Sequence, residues 1–464
     1  MSGPGQHSEY GFEKIPHDAR TYGFMDTVWT WFGSGINTGS WLFGGMAAAL
    51  GMTFVLQYSI IWLPLIMVPW AAIGYIGYRY GASTVAVSRP TLGVKGSRLT
   101  GVAQFIVLIG WPSVNSFIAA MSLTYVFKEA WGWPAFGEPG STMPMIVGIL
   151  TTAVVQGVIT VIGHEAIRYL ERVAGILLLV LGAWITYIIL SKWSMREVMN
   201  FAQEQPKYTV AFFIDLAFGF SWTWAQIADF SRFAKTANTA TTGTWLGVNV
   251  GQGWFMLMGA LGVIGVAMQT GKFDPNYADP SSTLAGLGMG LVAFLVLIFA
   301  TVSTNVTVLY GAGMGLLGAT GVRSPYRSLV AVAIIQLLLC FVPLIYGSFL
   351  AYFEMFLNVV GGIFIPLWTV ILVDYFVVRK GRLVEDDLFS EHGGEYHYAN
   401  GWGTNGLLSM AFGLVVFFTL SYGLPAVAQY TTASLPTLVA YGMMYWALAT
   451  FRADDRVVRR PLHG

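Results

Sequence analysis

Charge is scarce in this chain: only 10% of its 464 residues are Asp, Glu, Lys or Arg, against roughly a quarter in soluble globular domains. A chain so poor in charge cannot clothe an aqueous surface, which excludes an ordinary soluble enzyme or binding domain. The formal net charge is only +1, and without a basic tail nothing points to nucleic acid. A single cysteine, Cys340, rules out an internal disulfide framework and reads as a small apolar helix residue. The six histidines all fall outside the apolar runs, so no metal-ligand spacing occurs within them, which argues against a membrane enzyme. A channel would need a repeated pore motif or a ring of charge, and neither is present. Residues 1–23 carry Glu9, Glu13, Lys14, Asp18 and Arg20 without an apolar core. They read as a soluble cytoplasmic extension rather than a cleavable signal peptide.

Hydrophobic residues make up 55% of the chain, in recurring runs of about 20 residues, each long enough to cross a hydrocarbon layer of roughly 30 Å as a helix. Reading the runs against their charged, Gly and Pro punctuation gives twelve expected spans, near 24–50, 53–78, 99–127, 143–163, 169–191, 208–230, 243–270, 283–311, 328–346, 349–378, 404–424 and 432–451. An even number puts both termini on one side. Of the 24 Lys and Arg residues, five (Lys128, Lys192, Arg196, Lys207 and Lys272) fall on the opposite side and the other 19 on the side of the termini. Basic loops stay cytoplasmic, so the expectation is a multi-pass inner-membrane protein with both termini inside, including the tail 452–464, acting as a monomer.

Two of the spans are interrupted. Span one contains Gly33-Ser34-Gly35-Ile36-Asn37-Thr38-Gly39-Ser40, and span six contains Gly219-Phe220-Ser221-Trp222-Thr223-Trp224-Ala225-Gln226. Gly weakens a helix by about 1 kcal/mol relative to Ala, and open backbone survives at membrane depth only where it lines a cavity or meets a partner. The two interruptions are five spans apart, as the first helices of two five-helix repeats would be, and such pairs mark binding sites in transporters with inverted repeats.

Four local motifs resemble those of the nucleobase-cation-symport family of cytosine, allantoin, uracil and hydantoin permeases. Ser88-Arg89-Pro90-Thr91-Leu92-Gly93-Val94-Lys95-Gly96-Ser97 is similar to that family's Arg-x-x-x-Gly-x-x-Gly-Ser signature. Ala228-Asp229-Phe230-Ser231-Arg232-Phe233 is similar to its Asp-Phe-Ser/Thr-Arg-Phe/Tyr signature. Span ten runs Gly361-Gly362-Ile363-Phe364-Ile365-Pro366 and closes with Asp374-Tyr375-Phe376-Val377-Val378-Arg379, and Tyr396-His397-Tyr398-Ala399-Asn400-Gly401 adds a weaker match. The resemblance spans roughly residues 20–450. It implies an all-α transporter domain over 24–451, with inverted repeats at about 24–191 and 208–378, two extra helices at about 404–451, and alternating access.

Span eight carries a hydroxyl pair, Ser303-Thr304, in an otherwise apolar run. Hard cations take several oxygen ligands, and two hydroxyls with carbonyls freed at a break would supply them. The resemblance places Na⁺ between spans one and eight, on the carbonyls of Gly33, Ile36 and Ala300 and the hydroxyls of Ser303 and Thr304. It also implies a planar ligand held between aromatics of spans three and six and gripped by a span-three amide. Here Trp111-Pro112-Ser113-Val114-Asn115 is similar to the family's Trp-x-x-x-Gln pattern, with Asn in place of Gln, and the spacing of four sets both side chains on one helix face. Phe220 aligns with the second stacking aromatic, Trp222 and Trp224 being its competitors. Gln226, Asn37, Asn305 and Thr307 are candidate polar lining, and Leu309 stands where the family has a further amide.

Asp215 falls inside span six, where a carboxylate is costly and reads as functional by default. It is a candidate for binding an amino-bearing ligand or carrying a proton, unless the span starts later than drawn, and Glu354 near the outer end of span ten is similarly placed. The coupling ion is thus Na⁺ or H⁺, with no other cofactor. The cargo is a small planar nitrogen heterocycle or, on the same fold, an amine, quaternary amine or amino acid.

Overall fold

The computed structural model describes residues 13–162, 164–201, 208–320, 324–398 and 400–452. Residues 1–12 of the expected extension, Lys207, Arg323 and residues 453–464 of the expected tail lie outside them. Among the described residues the regular structure is helical apart from isolated bridge residues, the pair Tyr22 and Ala234 among them. Nine of the helical stretches are long and apolar enough to cross a membrane.

The first expected span is two helices, α1 (Phe24–Gly35) and α2 (Thr38–Ala47). Asn37 joins them: its Nδ2 donates to the Ser34 carbonyl at 2.8 Å and its Oδ1 accepts from the Ser40 amide at 2.9 Å. One side chain thus caps both open helix ends, the usual work of Asn at an N-cap. There follow α3 (Met52–Tyr80), α4 (Thr84–Gly96), α5 (Arg98–Trp131), α6 (Thr142–Ile162) and α7 (His164–Lys192). The sixth expected span is again two helices, α8 (Val210–Ser221) and α9 (Ile227–Ser231), with an irregular stretch between them. The chain continues through α10 (Thr239–Thr270), α11 (Leu291–Thr320), α12 (Pro325–Leu339), α13 (Phe349–Val378), α14 (Thr404–Gly423) and α15 (Ser434–Phe451).

All four signature stretches meet around α4. Gly93, at φ 80°, bends α4 in a way an L side chain resists, and its turn is taken up by the chain before α14: the Gly403 amide donates to the Leu92 carbonyl at 2.6 Å. Arg379, at the end of α13, donates to Asp374 (2.8 Å), Glu395 (2.7 Å), the Tyr398 hydroxyl (2.7 Å) and the Pro90 carbonyl (3.2 Å). Buried Arg89 donates to the carbonyls of Leu388 (3.0 Å) and Ser390 (3.1 Å) and pairs with Glu391. Asp229, just after the second break, accepts from the Thr84 amide that opens α4 at 3.4 Å. Buried charges are stable only when paired and hydrogen-bonded, so these motifs are the fastening of one end of the bundle. The described part of the expected N-terminal extension is fastened there too, with Ile15 buried and its amide donating to the Gly81 carbonyl at 3.0 Å.

The first span lies directly against α10. A Cβ on Gly259 would strike the Trp41 backbone, and one on Gly44 would strike that of Met256. Small residues that let helix backbones touch are the main packing device inside membranes. Gly259→Leu is accordingly expected to lower stability by about 3 kcal/mol or to prevent folding, whereas Gly311→Ala, where nothing lies near the added methyl, is neutral or stabilising. Thermal unfolding of the two variants in detergent checks this.

Candidate substrate and ion site

The break between α8 and α9 frees backbone carbonyls, and at membrane depth each needs a donor. Three helices supply them. The Trp368 indole of α13 donates to the Trp222 carbonyl, the Trp70 indole of α3 to that of Trp224, and the Gln104 amide of α5 to that of Ala225, each at 2.9 Å. The Phe220 carbonyl takes the Thr223 hydroxyl at 2.7 Å. The interruption is therefore held open by long side chains rather than left as a defect.

Trp111 of α5 stands between the two breaks. Its indole N–H donates to the Thr223 hydroxyl at 3.2 Å. Its ring lies against Gly39 of α2, where an added Cβ would come within 2.8 Å of it. Phe220 and Phe356 meet the indole nearly at right angles, each with centroids 5.3 Å away, and Phe353 closes the box at 5.9 Å. Edge-to-face contacts of this kind suit the ring quadrupoles, so the box is filled by its own side chains in this structure.

One turn along α5, Asn115 accepts from the Thr38 hydroxyl at 3.0 Å and donates to Asn305 at 3.3 Å. It borders a cavity just wide enough for a water-sized guest, lined by Asn37 and Thr38 at the first break, Leu178 of α7, and Ala300, Thr301 and Thr304 of α11. Thr301 bonds back to the Leu297 carbonyl at 2.7 Å. The Ser303 hydroxyl is buried with no hydrogen-bond partner among the described residues.

The structure thus brings together Trp111, Asn115, Phe220, Asn37, Ala300 and Thr304 around the two breaks, and sets other expected residues elsewhere. Gly33 and Ile36 do not line the cavity. Gly33 is exposed and its carbonyl already accepts from the Ile36 amide at 3.2 Å, so the first span reaches the cavity one turn later, through Asn37 and Thr38. Trp222 is buried away from the box, its indole N–H donating to the Ile66 carbonyl at 2.8 Å, which makes it a brace between α3 and the second break. Asp215 is likewise structural: its two carboxylate oxygens accept from the amides of Ala433 and Ser434, both at 2.7 Å. A carboxylate on the amides opening α15 offsets its own burial and satisfies helix-end donors. Gln226 directly precedes α9 and is not among the residues lining the cavity. Asn305 is fully buried behind Asn115. Glu354 accepts from the Tyr208 hydroxyl at 2.6 Å. The reading of the sequence did not single out Thr38, Leu178, Thr301 or Gln104; Thr38 lay in the polar interruption of span one, Thr301 close before the hydroxyl pair, and Gln104 was an amide in an apolar helix, while Leu178 carried no signal.

Residues 14–449 match the model of a family described as permeases for cytosine/purines, uracil, thiamine and allantoin. Among individual proteins, the chain is 22% identical to the purine-uracil permease NCS1 of Arabidopsis thaliana, over 92% of this chain and 75% of that one. It is 25% identical to the allantoin permease of Bacillus subtilis, over 87% and 85%, and 24% identical to the hydantoin permease of Microbacterium maritypicum, over 80% and 75%. Its fold is similar to that of Mhp1, a nucleobase-cation-symport-1 family transporter solved in a closed conformation with bromovinylhydantoin bound, with TM-score 0.72 and 19% identity over 96% of each chain. A Na⁺-coupled sialic acid symporter shares the fold at TM-score 0.59 and 11% identity, over 94% of this chain and 92% of that one. With a match that runs through both interrupted spans and every signature stretch packed around α4, the chain belongs to the nucleobase-cation-symport family and is a multi-pass membrane transporter, not an enzyme.

Proposed function

We propose that this transporter is a secondary active symporter that imports a small planar nitrogen heterocycle together with Na⁺. Its setting is the inner membrane, with twelve spans, both termini cytoplasmic, two inverted five-helix repeats and alternating access. The observation that carries the reading is the position of Trp111 and Asn115: one helix face of α5 lies against both breaks and beside the cavity on α11. A flat ring stacks on the indole by displacing the edge of Phe220, and Asn115 meets its polar rim with a donor and an acceptor. The relatives' substrates, purines, uracil, allantoin and hydantoin by name, are all planar or nearly planar rings with such a rim.

The ion reading rests on the donor set. Oxygen ligands suit a hard cation: on α11 the Thr304 hydroxyl and the Ala300 carbonyl belong to residues lining a cavity of about the size of a water molecule, and the Ser303 hydroxyl, outside that lining, is buried without a partner among the described residues. Thr38 and Asn115 line that same cavity while bonded to each other. An ion that orders the first break therefore also sets the amide that meets the substrate, and this shared wall is a physical basis for coupling.

Trp111→Ala is expected to weaken binding of the preferred heterocycle about tenfold to a hundredfold, as losing a stacking partner worth about 1 to 3 kcal/mol would. A screen of nucleobases, allantoin, hydantoins and amines on purified protein measures this, and an unchanged affinity would remove the stack from the account.

Thr304→Ala is expected to reduce the stimulation of that binding by Na⁺ by about tenfold, the loss of one ligand costing on the order of 1 to 3 kcal/mol. Titration of Na⁺ at fixed substrate reads it. Wild-type binding that ignores Na⁺ and follows pH instead would place the coupling with protons.

A further inference from the structure

Behind Asn115 lies a group of polar side chains that none of these roles uses. Ser116, Gln156, Asn305 and Gln336 are all 0% exposed and come from four different helices, α5, α6, α11 and α12. The Asn305 NH₂ has two hydrogens, which reach the Pro112 carbonyl (3.2 Å) and the Gln156 side-chain oxygen (3.0 Å), with the Ser116 oxygen 3.1 Å away. Gln156 and Gln336 in turn donate to Ser116, at 2.6 and 3.1 Å, and Ser116 donates to the Pro112 carbonyl at 2.6 Å.

This group has a polarity that starts from one atom. A backbone carbonyl only accepts, so the end of Asn305 beside Pro112 is its NH₂ and the end facing Asn115 is its oxygen. Asn115 must answer with its own NH₂, at 3.3 Å. That turns the Asn115 oxygen toward the Thr38 hydroxyl, 3.0 Å away. Reversing Asn115 would set its oxygen against that of Asn305, which is costly in a buried, low-dielectric setting, whereas the Thr38 hydroxyl can donate or accept and follows either orientation.

We infer that Asn305 is a specificity-determining residue that never touches the substrate: it locks the Asn115 amide in one orientation, so that only one order of donor and acceptor on the ligand's edge is accepted. Ser116, Gln156 and Gln336 hold Asn305 for that task. The inference rests on the reading of Asn115 as the amide that meets the ligand. Asn305 acts here as a positioning residue, and its loss changes a ratio of affinities. A purely structural defect would instead weaken every ligand alike.

Uracil and cytosine have nearly the same shape but exchanged donor and acceptor at adjacent ring positions, as do hypoxanthine and adenine. Affinities for both pairs are to be measured in the wild type, Asn115→Ala, Asn305→Ser and Gln156→Leu, each checked for monodispersity. The wild type is expected to favour one member of at least one pair by about tenfold or more, since an unmatched polar edge leaves buried groups unpaired. Asn305→Ser is expected to bring that ratio close to one, chiefly by improving the poorer ligand. Gln156→Leu, which removes a support of Asn305 and not of Asn115, is expected to shift the ratio in the same direction by less, and it carries the test if Asn305→Ser does not fold. A ratio preserved in both variants while Asn115→Ala alters it overturns the inference and leaves the role of Asn115 standing. A wild type that binds both members of each pair equally also overturns it. If Asn115→Ala changes nothing, or none of the four probes binds the wild type, the reading beneath it fails first and takes the inference with it.

Discussion

Three hydrogen bonds, from Trp70, Gln104 and Trp368 to the carbonyls of Ala225 and its neighbours Trp222 and Trp224, keep the sixth span unwound, and the rest of the site depends on them. In a medium without water each freed carbonyl would cost several kcal/mol if left alone, so a helix would otherwise close over the gap. Because the donors come from α3, α5 and α13, the open stretch also ties those helices together at mid-bundle. Trp111 can then reach across to Thr223, and Phe220 is presented at the end of α8. The break is thus a joint between helices and, in the proposed mechanism, the surface that faces the ligand.

The first span is opened by a different device. Asn37 caps the ends of α1 and α2 within one side chain, so the opening is short and leaves Thr38 free to bond Asn115. Packing against α10 at Gly44 and Gly259 fixes the first span as part of a rigid pair, while α11 faces it across the small cavity. A guest in that cavity touches two bodies at once, which is the geometry required for an ion to favour one arrangement of the helices over another. The fastening around α4, held by Arg89 and Arg379, closes one end of the bundle, and Gln104 links it to the second break by donating to both Ala225 and Asp229.

How much of this could be read from the residues differs from place to place, for physical reasons. The breaks were legible because Gly and polar residues interrupt long apolar runs, and Trp111 with Asn115 through the resemblance to the family's Trp-x-x-x-Gln pattern, their shared face following from the spacing of four. The register of the first break was not, since which carbonyl faces inward depends on where Asn37 caps, and the expected ligands Gly33 and Ile36 gave way to Asn37 and Thr38 as the residues on the cavity. Trp222 stood in the sequence as a competitor to Phe220, the residue that aligned with the second stacking aromatic; only the Ile66 carbonyl, on another helix, shows where its indole N–H goes. Asp215 read as functional because its partners, the amides of Ala433 and Ser434, are 218 and 219 residues away. The meeting of Gln156 and Gln336 at Ser116 is purely tertiary, between residues 40 and 220 positions apart in the chain.

The central claim is that occupation of the cavity on α11 by Na⁺ drives uptake of a heterocycle held at Trp111 and Asn115. Uptake into proteoliposomes of the heterocycle that binds best, followed with an inward Na⁺ gradient and again with equal Na⁺ on both sides, tests it most directly. The account requires accumulation above the external concentration with the gradient and its collapse to simple equilibration without it; accumulation that persists when Na⁺ is replaced by K⁺ on both sides would contradict it.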